Sequence, residues 1–231
     1  MRHRIIVIFA ISLLIGALPA AAQRYFYEPE FALGVRAGGT ASFVSFSPSV
    51  SHSMLYGAQA GLAFRYISDR HFGIQLEANY TQRGWKEKSD VYLYRYSRRL
   101  DYIEIPFMSH IFFGKKYFRW FFNLGPEISF RVGDHVTSEN LTEDKLRPRH
   151  TDKFKSIFDY GIVVGTGFEF QTRRAGIYQL EARYSFGLGD LYKNSSDATY
   201  SRSSNQNISL CLGILFNINH KSEDNLLLWN P

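Results

Sequence analysis

The chain has 231 residues, 45% of them hydrophobic and 16% aromatic, with one cysteine and a formal net charge of +6. The lone Cys211 excludes an internal disulfide framework, and beyond the first residues no apolar run is long enough for a membrane-crossing helix. The charge excess is modest and scattered over loops and turns, so nucleic acid is not an expected partner.

The first element is a targeting segment. Arg2 and Arg4 precede an apolar run from Ile5 to Leu18, and Ala20-Ala21-Ala22 supplies small residues for a signal peptidase. Residues 1–22 are therefore expected to be a signal peptide, with Gln23 opening the mature chain. No cysteine adjoins this site, which argues against a lipid-anchored start. Residues 23–30 are expected to form a periplasmic segment, 31–218 a barrel domain, and 219–231 a periplasmic tail.

From Phe31 onward, polarity alternates with period two in eight successive segments. The first sets Phe31, Leu33, Val35, Ala37, Ala41 and Phe43 against Gly34, Arg36, Gly38, Thr40 and Ser42. The second sets Tyr56, Ala58, Ala60, Leu62, Phe64 and Tyr66 against Gln59, Gly61 and Arg65. In the third, Phe72, Ile74, Leu76, Ala78 and Tyr80 oppose Gln75, Glu77, Asn79 and Arg83. In the fourth, Ile103, Ile105, Phe107, Ile111 and Phe113 oppose Glu104, Pro106 and His110. The fifth runs from Phe118 to Val132, with Arg119, Asn123, Glu127, Ser129 and Arg131 on its polar stripe. The sixth, from Phe158 to Phe170, carries Asp159, Gly161, Gly165 and Glu169. The seventh sets Tyr178, Leu180, Ala182, Tyr184 and Phe186 against Gln179, Glu181, Arg183 and Ser185. The eighth sets Ile208, Leu210, Leu212, Ile214 and Phe216 against Asn207, Ser209, Cys211 and Gly213.

A soluble barrel would turn the apolar stripe inward; two features favour the reverse. Aromatic residues cluster at both ends of the apolar stripes, as in the girdles of barrels that meet lipid at two interfaces. The polar stripes carry Arg, Glu, Gln and Gly but no Lys, which suits a confined interior where the planar guanidinium pairs with carboxylates. The connections alternate as well. Residues 44–54, 84–99, 132–157 and 187–205 are long and polar, whereas Ser68–His71, Gly114–Lys116 and Thr172–Ala175 are tight. The expected architecture is all-β: an eight-stranded antiparallel up-and-down transmembrane β-barrel of the bacterial outer membrane, monomeric, with both termini in the periplasm and outer-membrane lipid as its surroundings. Closure is obligatory, because an open edge in lipid would leave backbone groups unpaired.

The inferred lumen holds Arg36, Arg65, Arg83, Arg119, Arg131 and Arg183 against Glu77, Glu104, Glu127, Asp159, Glu169 and Glu181. Matched signs imply a paired network, since an unpaired buried charge costs several kcal/mol. Arg119 and Arg131 are expected to meet Glu127 and Glu181. The network reads either as a rigid plug or as a gated path. No histidine has a serine two residues away on the same strand, and Cys/His ligand spacings are absent, so neither catalysis, cofactor nor metal is expected. Loops 84–99 and 132–157 are candidates for partner contact. The former carries Lys86, Lys88, Arg95, Arg98 and Arg99 among Tyr92, Tyr94 and Tyr96, a pattern that suits anionic lipopolysaccharide, a protein, or simply a hairpin standing clear of the membrane.

Five stretches carry a family resemblance: Leu33-Gly34-Val35-Arg36-Ala37-Gly38-Gly39, Gly73-Ile74-Gln75-Leu76-Glu77, Asp101-Tyr102-Ile103-Glu104-Ile105-Pro106, Asn123-Leu124-Gly125-Pro126 and Tyr178-Gln179-Leu180-Glu181-Ala182-Arg183-Tyr184. Through these the chain resembles the PorT-like outer-membrane β-barrel proteins of Bacteroidetes, part of the wider porin family. The resemblance implies an eight-stranded outer-membrane protein, and its founding member is associated with protein secretion by the type IX pathway. The tail Asn219–Pro231 departs from barrels that end on an aromatic residue of the last strand. Two function classes stay open: a structural or protein-binding membrane component, and a small-solute channel.

Overall fold

A computed structural model describes residues 29–47, 53–89, 94–115, 117–139, 156–172, 176–189 and 202–218. The expected signal peptide, most of the N-terminal segment and the tail lie outside these residues. Eight strands follow in chain order: β1 (Glu30–Ser47), β2 (Ser53–Ile67), β3 (Phe72–Ser89), β4 (Tyr94–Lys115), β5 (Phe118–Glu139), β6 (Phe158–Thr172), β7 (Gly176–Gly187) and β8 (Arg202–Asn217). Each pairs antiparallel with the next, and β1 pairs with β8 to close the barrel. The ladder runs, for example, Arg36↔Gly61, Glu127↔Gly161 and Arg36↔Gly213, so every spanning strand has a hydrogen-bonded neighbour on both sides. In hydrocarbon this is the condition for a strand to exist at all.

Side-chain placement decides between a soluble and a transmembrane barrel. Leu212 is 65% exposed and Phe216 55%, whereas Arg65 is 0% exposed and Glu77 2%. The apolar stripes face outward on all eight strands and the polar stripes face inward. In water that distribution would be unstable; in a bilayer, lipid covers the apolar surface.

The strands are longer than the alternation indicates. β1 reaches Ser47 and β2 begins at Ser53; β3 and β4 continue to Ser89 and Tyr94; β5 extends to Glu139 and β8 begins at Arg202. The polar connections 44–54, 84–99, 132–157 and 187–205 are correspondingly shorter than their composition suggests. Above the membrane the outward face of a hairpin meets water instead of lipid, so the polarity contrast fades while the backbone ladder goes on. The 84–99 segment is thus largely a projecting hairpin. Residues 90–93 and 140–155 lie outside the described residues.

The interior also departs from a purely polar stripe. At the periplasmic end Ile67, Phe112 and Phe121 form one apolar cluster, and Ala32, Ala63, Ile177 and Leu215 another. Toward the outer end Val44, Leu55, Trp85 and Leu100 are buried. Deeply buried charges such as Glu77 and Glu181 therefore lie between two apolar ends. Glycine makes room where side chains converge. A Cβ at Gly165 would collide with Oε1 of Glu181, and one at Gly167 would stand 2.8 Å from Cζ of Phe121.

Candidate functional site in the barrel interior

Strand tilt and stagger bring inward residues of different strands to common levels, and three groups of charges result. The middle group is a closed ring. Arg36 on β1 donates to both Glu77 on β3 and Oε2 of Glu181 on β7, the latter at 2.9 Å. Arg183 donates to the same two carboxylates: Nη1 to Glu77 Oε2 at 2.8 Å, Nη2 to Glu77 Oε1 at 2.9 Å, and Nη2 to Glu181 Oε2 at 2.8 Å. Each arginine thus bridges both glutamates, and each glutamate accepts from both arginines. Glu77 receives two further donors from its own strand, Gln75 Nε2 at 2.6 Å and Asn79 Nδ2 at 2.8 Å. All four ring members are at most 5% exposed.

The periplasmic group centres on Glu169. Its Oε2 accepts from Arg65 Nη1 at 2.5 Å and Gln179 Nε2 at 3.2 Å, while Arg119 Nη1 lies 3.5 Å from Oε1. Arg119 also donates to Gln171 at 2.9 Å and rests over the Phe112 ring at 4.8 Å. His110 joins this group to the ring. Asn123 Nδ2 donates to Glu181 Oε1 at 2.8 Å, which turns Asn123 Oδ1 toward His110 Nδ1, also at 2.8 Å. That oxygen can only accept, so Nδ1 carries the proton, and Nε2 faces Arg65 Nη1 at 3.4 Å as an acceptor.

In the outer group Arg83 bridges Glu104 and Glu127, each at 2.6 Å, and Ser185 Oγ donates to Glu127 at 3.3 Å. Asp159 is held by Asn205 Nδ2 at 3.1 Å and by the Tyr160 backbone N–H at 2.8 Å. Arg131 lies nearer the outer mouth and is only partly buried.

All the charged residues expected in the lumen are inward-facing, but Arg119 does not take the carboxylate partners expected of it. Arg119 engages Glu169 and Gln171, not Glu127 or Glu181. Glu127 belongs to Arg83, and Glu181 to Arg36 and Arg183. Arg119 and Glu127 share a strand, but eight positions at ~3.3 Å each separate their levels. Pairing by type cannot see that spacing. His110 and Asn123, inward by period, gain their linking role only from this convergence.

The chemistry open to such an interior is limited. The six acidic groups named above are each bridged by arginine or held by amide donors, and the arrangement ties six strands together: β1, β2, β3, β5, β6 and β7 all contribute to the ring or the Glu169 group. Among the described residues no group of three or more His, Cys, Asp and Glu side chains could hold a metal ion. The partners of His110 are an arginine and an amide, and the carboxylate 3.9 Å away, Glu169, is held by Arg65.

No curated protein matches the chain in sequence. Its fold is similar to solved structures at low identity. The outer membrane protein OprG from Pseudomonas aeruginosa is 12% identical, with TM-score 0.49, covering 81% of this chain and 95% of that one. Neisserial surface protein A is 12% identical, with TM-score 0.46, covering 80% and 99%. The outer membrane enzyme PagL is 15% identical, with TM-score 0.41, covering 79% and 98%. The family model for the outer membrane protein beta-barrel domain matches residues 21–193, and the inside-out closed barrel agrees with it: the chain belongs to that family and resides in the bacterial outer membrane.

Proposed function

We propose that the protein is a sealed, non-enzymatic barrel that acts by binding at its outer hairpins or periplasmic ends rather than by passing solutes through its centre. The observation that carries this reading is the ring of Arg36, Glu77, Arg183 and Glu181, which lies across the lumen between two apolar ends. An eight-stranded barrel is only wide enough for its own side chains. Opening a path would separate several buried pairs, at a few kcal/mol each.

The PorT-like resemblance supports a narrower form of this reading, in which the bound partner is a protein and the context is secretion. A specific feature favours the channel instead: beside Arg36 and Arg65, the β8, β1 and β2 wall carries small or neutral inward residues such as Gly38, Gly61, Ser209 and Gly213. Planar-bilayer recording on the refolded protein separates the two. The sealed barrel gives no stable conductance; a reproducible unitary step from the wild type would overturn the proposal in favour of the channel.

A further inference from the structure

The projecting part of the β3–β4 hairpin has an outward face that the lumen does not use. There the ladder pairs Lys86 with Ser97 and Gly84 with Arg99, so four positions form a square with the two basic residues on its diagonal. Diagonal neighbours in an antiparallel ladder stand ~7–8 Å apart, within reach of long side chains converging on one group. Gly84 contributes no side chain, and Ser97 contributes a hydroxyl. Lys86 is exposed and has no ion pair with a described residue. The Arg99 side chain is 45% exposed, and its Nε lies 3.7 Å from Asp101, a carboxylate that His135 Nε2 approaches more closely, at 3.0 Å.

Height identifies what this face meets. Tyr80, outward and 40% exposed, marks the outer girdle on β3 and pairs with Ile103. At ~3.3 Å per residue and a tilt of ~40°, Arg99 and Lys86 stand ~10–15 Å above that level. This is the depth of headgroups, not of acyl chains. Below the square, past Gln82, whose Oε1 accepts the Ala58 N–H at 3.2 Å, the outward residues Ala60 and Ala78 are small, while Leu62 and Tyr80 opposite them are large, which shapes a shallow trough on the lipid side. A soluble anion would gain nothing from the trough; an anion attached to acyl chains would use both.

We propose that the square formed by Gly84, Lys86, Ser97 and Arg99 binds a phosphate of a phosphorylated glycolipid in the outer leaflet, with an acyl chain lying in the alanine trough. The site does not depend on whether the lumen conducts.

The test uses the full barrel in nanodiscs of zwitterionic phospholipid, titrated with diphosphorylated lipid A and with its dephosphorylated form, bound lipid being counted by native mass spectrometry. Near a membrane surface each basic residue contributes about fivefold in affinity. Lys86→Ala should therefore weaken binding about fivefold, and the Lys86→Ala/Arg99→Ala double variant about twenty-fold or more. Arg70→Ala and Lys115→Ala, on exposed residues at the periplasmic side, should bind as wild type does. Unchanged binding by the double variant, equal binding of dephosphorylated lipid, or displacement by millimolar inorganic phosphate would each overturn the assignment. Both hairpin variants are checked for the heat-modifiable electrophoretic mobility of a folded barrel. Lys86→Ala removes an exposed side chain, so it reads binding even if the double variant folds poorly.

Discussion

Replacing Glu77 by Gln keeps the shape of the side chain and removes one charge from the ring. Two arginines then face a single carboxylate, Glu181, and the new amide turns donor hydrogens toward groups that only donate. Breaking a buried pair by removing one partner costs ~3–5 kcal/mol, mostly because the remaining charge stays buried without compensation. Glu77→Gln should therefore lose ~3–5 kcal/mol in reversible urea unfolding from lipid vesicles. Arg183→Gln should lose a comparable amount. The double variant leaves Arg36 and Glu181 as a matched pair at 2.9 Å, so its loss should fall short of the sum by ~2 kcal/mol, a coupling of the size found for contacting charges. A loss below ~1 kcal/mol for Glu77→Gln, or strict additivity in the double variant, would refute the closed ring as a cooperative unit.

Leu180→Arg should destabilise the barrel by ~2–4 kcal/mol in the same assay, because Leu180 faces lipid near mid-strand; Gln179→Ala, on the inward face, should cost less. Equal losses would mean that the two faces are misassigned. Gly165→Ala should cost ~1–3 kcal/mol by displacing the Glu181 carboxylate from its arginines; wild-type stability would show that the interior has room to spare.

The barrel was largely legible because its solvent is unusual. Lipid outside and a confined polar interior force opposite chemistry onto neighbouring residues, so alternation such as Tyr178-Gln179-Leu180-Glu181-Ala182-Arg183 reports the strand and both faces at once. Where the contrast weakens, so does the reading. In Phe118-Arg119-Trp120-Phe121-Phe122 the aromatic run hides that Phe121 is fully buried in the periplasmic stopper while its neighbours Trp120 and Phe122 face lipid. Beyond Arg83 and Val132 the outward face no longer meets lipid, and strands that continue to Ser89 and Glu139 look like loops.

The sequence by itself determined the strand number, the inside-out polarity and, Arg98 apart, most of the inventory of inward charges, because each depends only on residue type at a period of two. The partners within that inventory were decided by tertiary structure. Glu77 meets Arg183 across 106 positions and Glu169 meets Arg65 across 104, distances along the chain that no local pattern spans. Strand tilt and ladder register set which inward residues share a level, and these emerge only when β1 closes on β8.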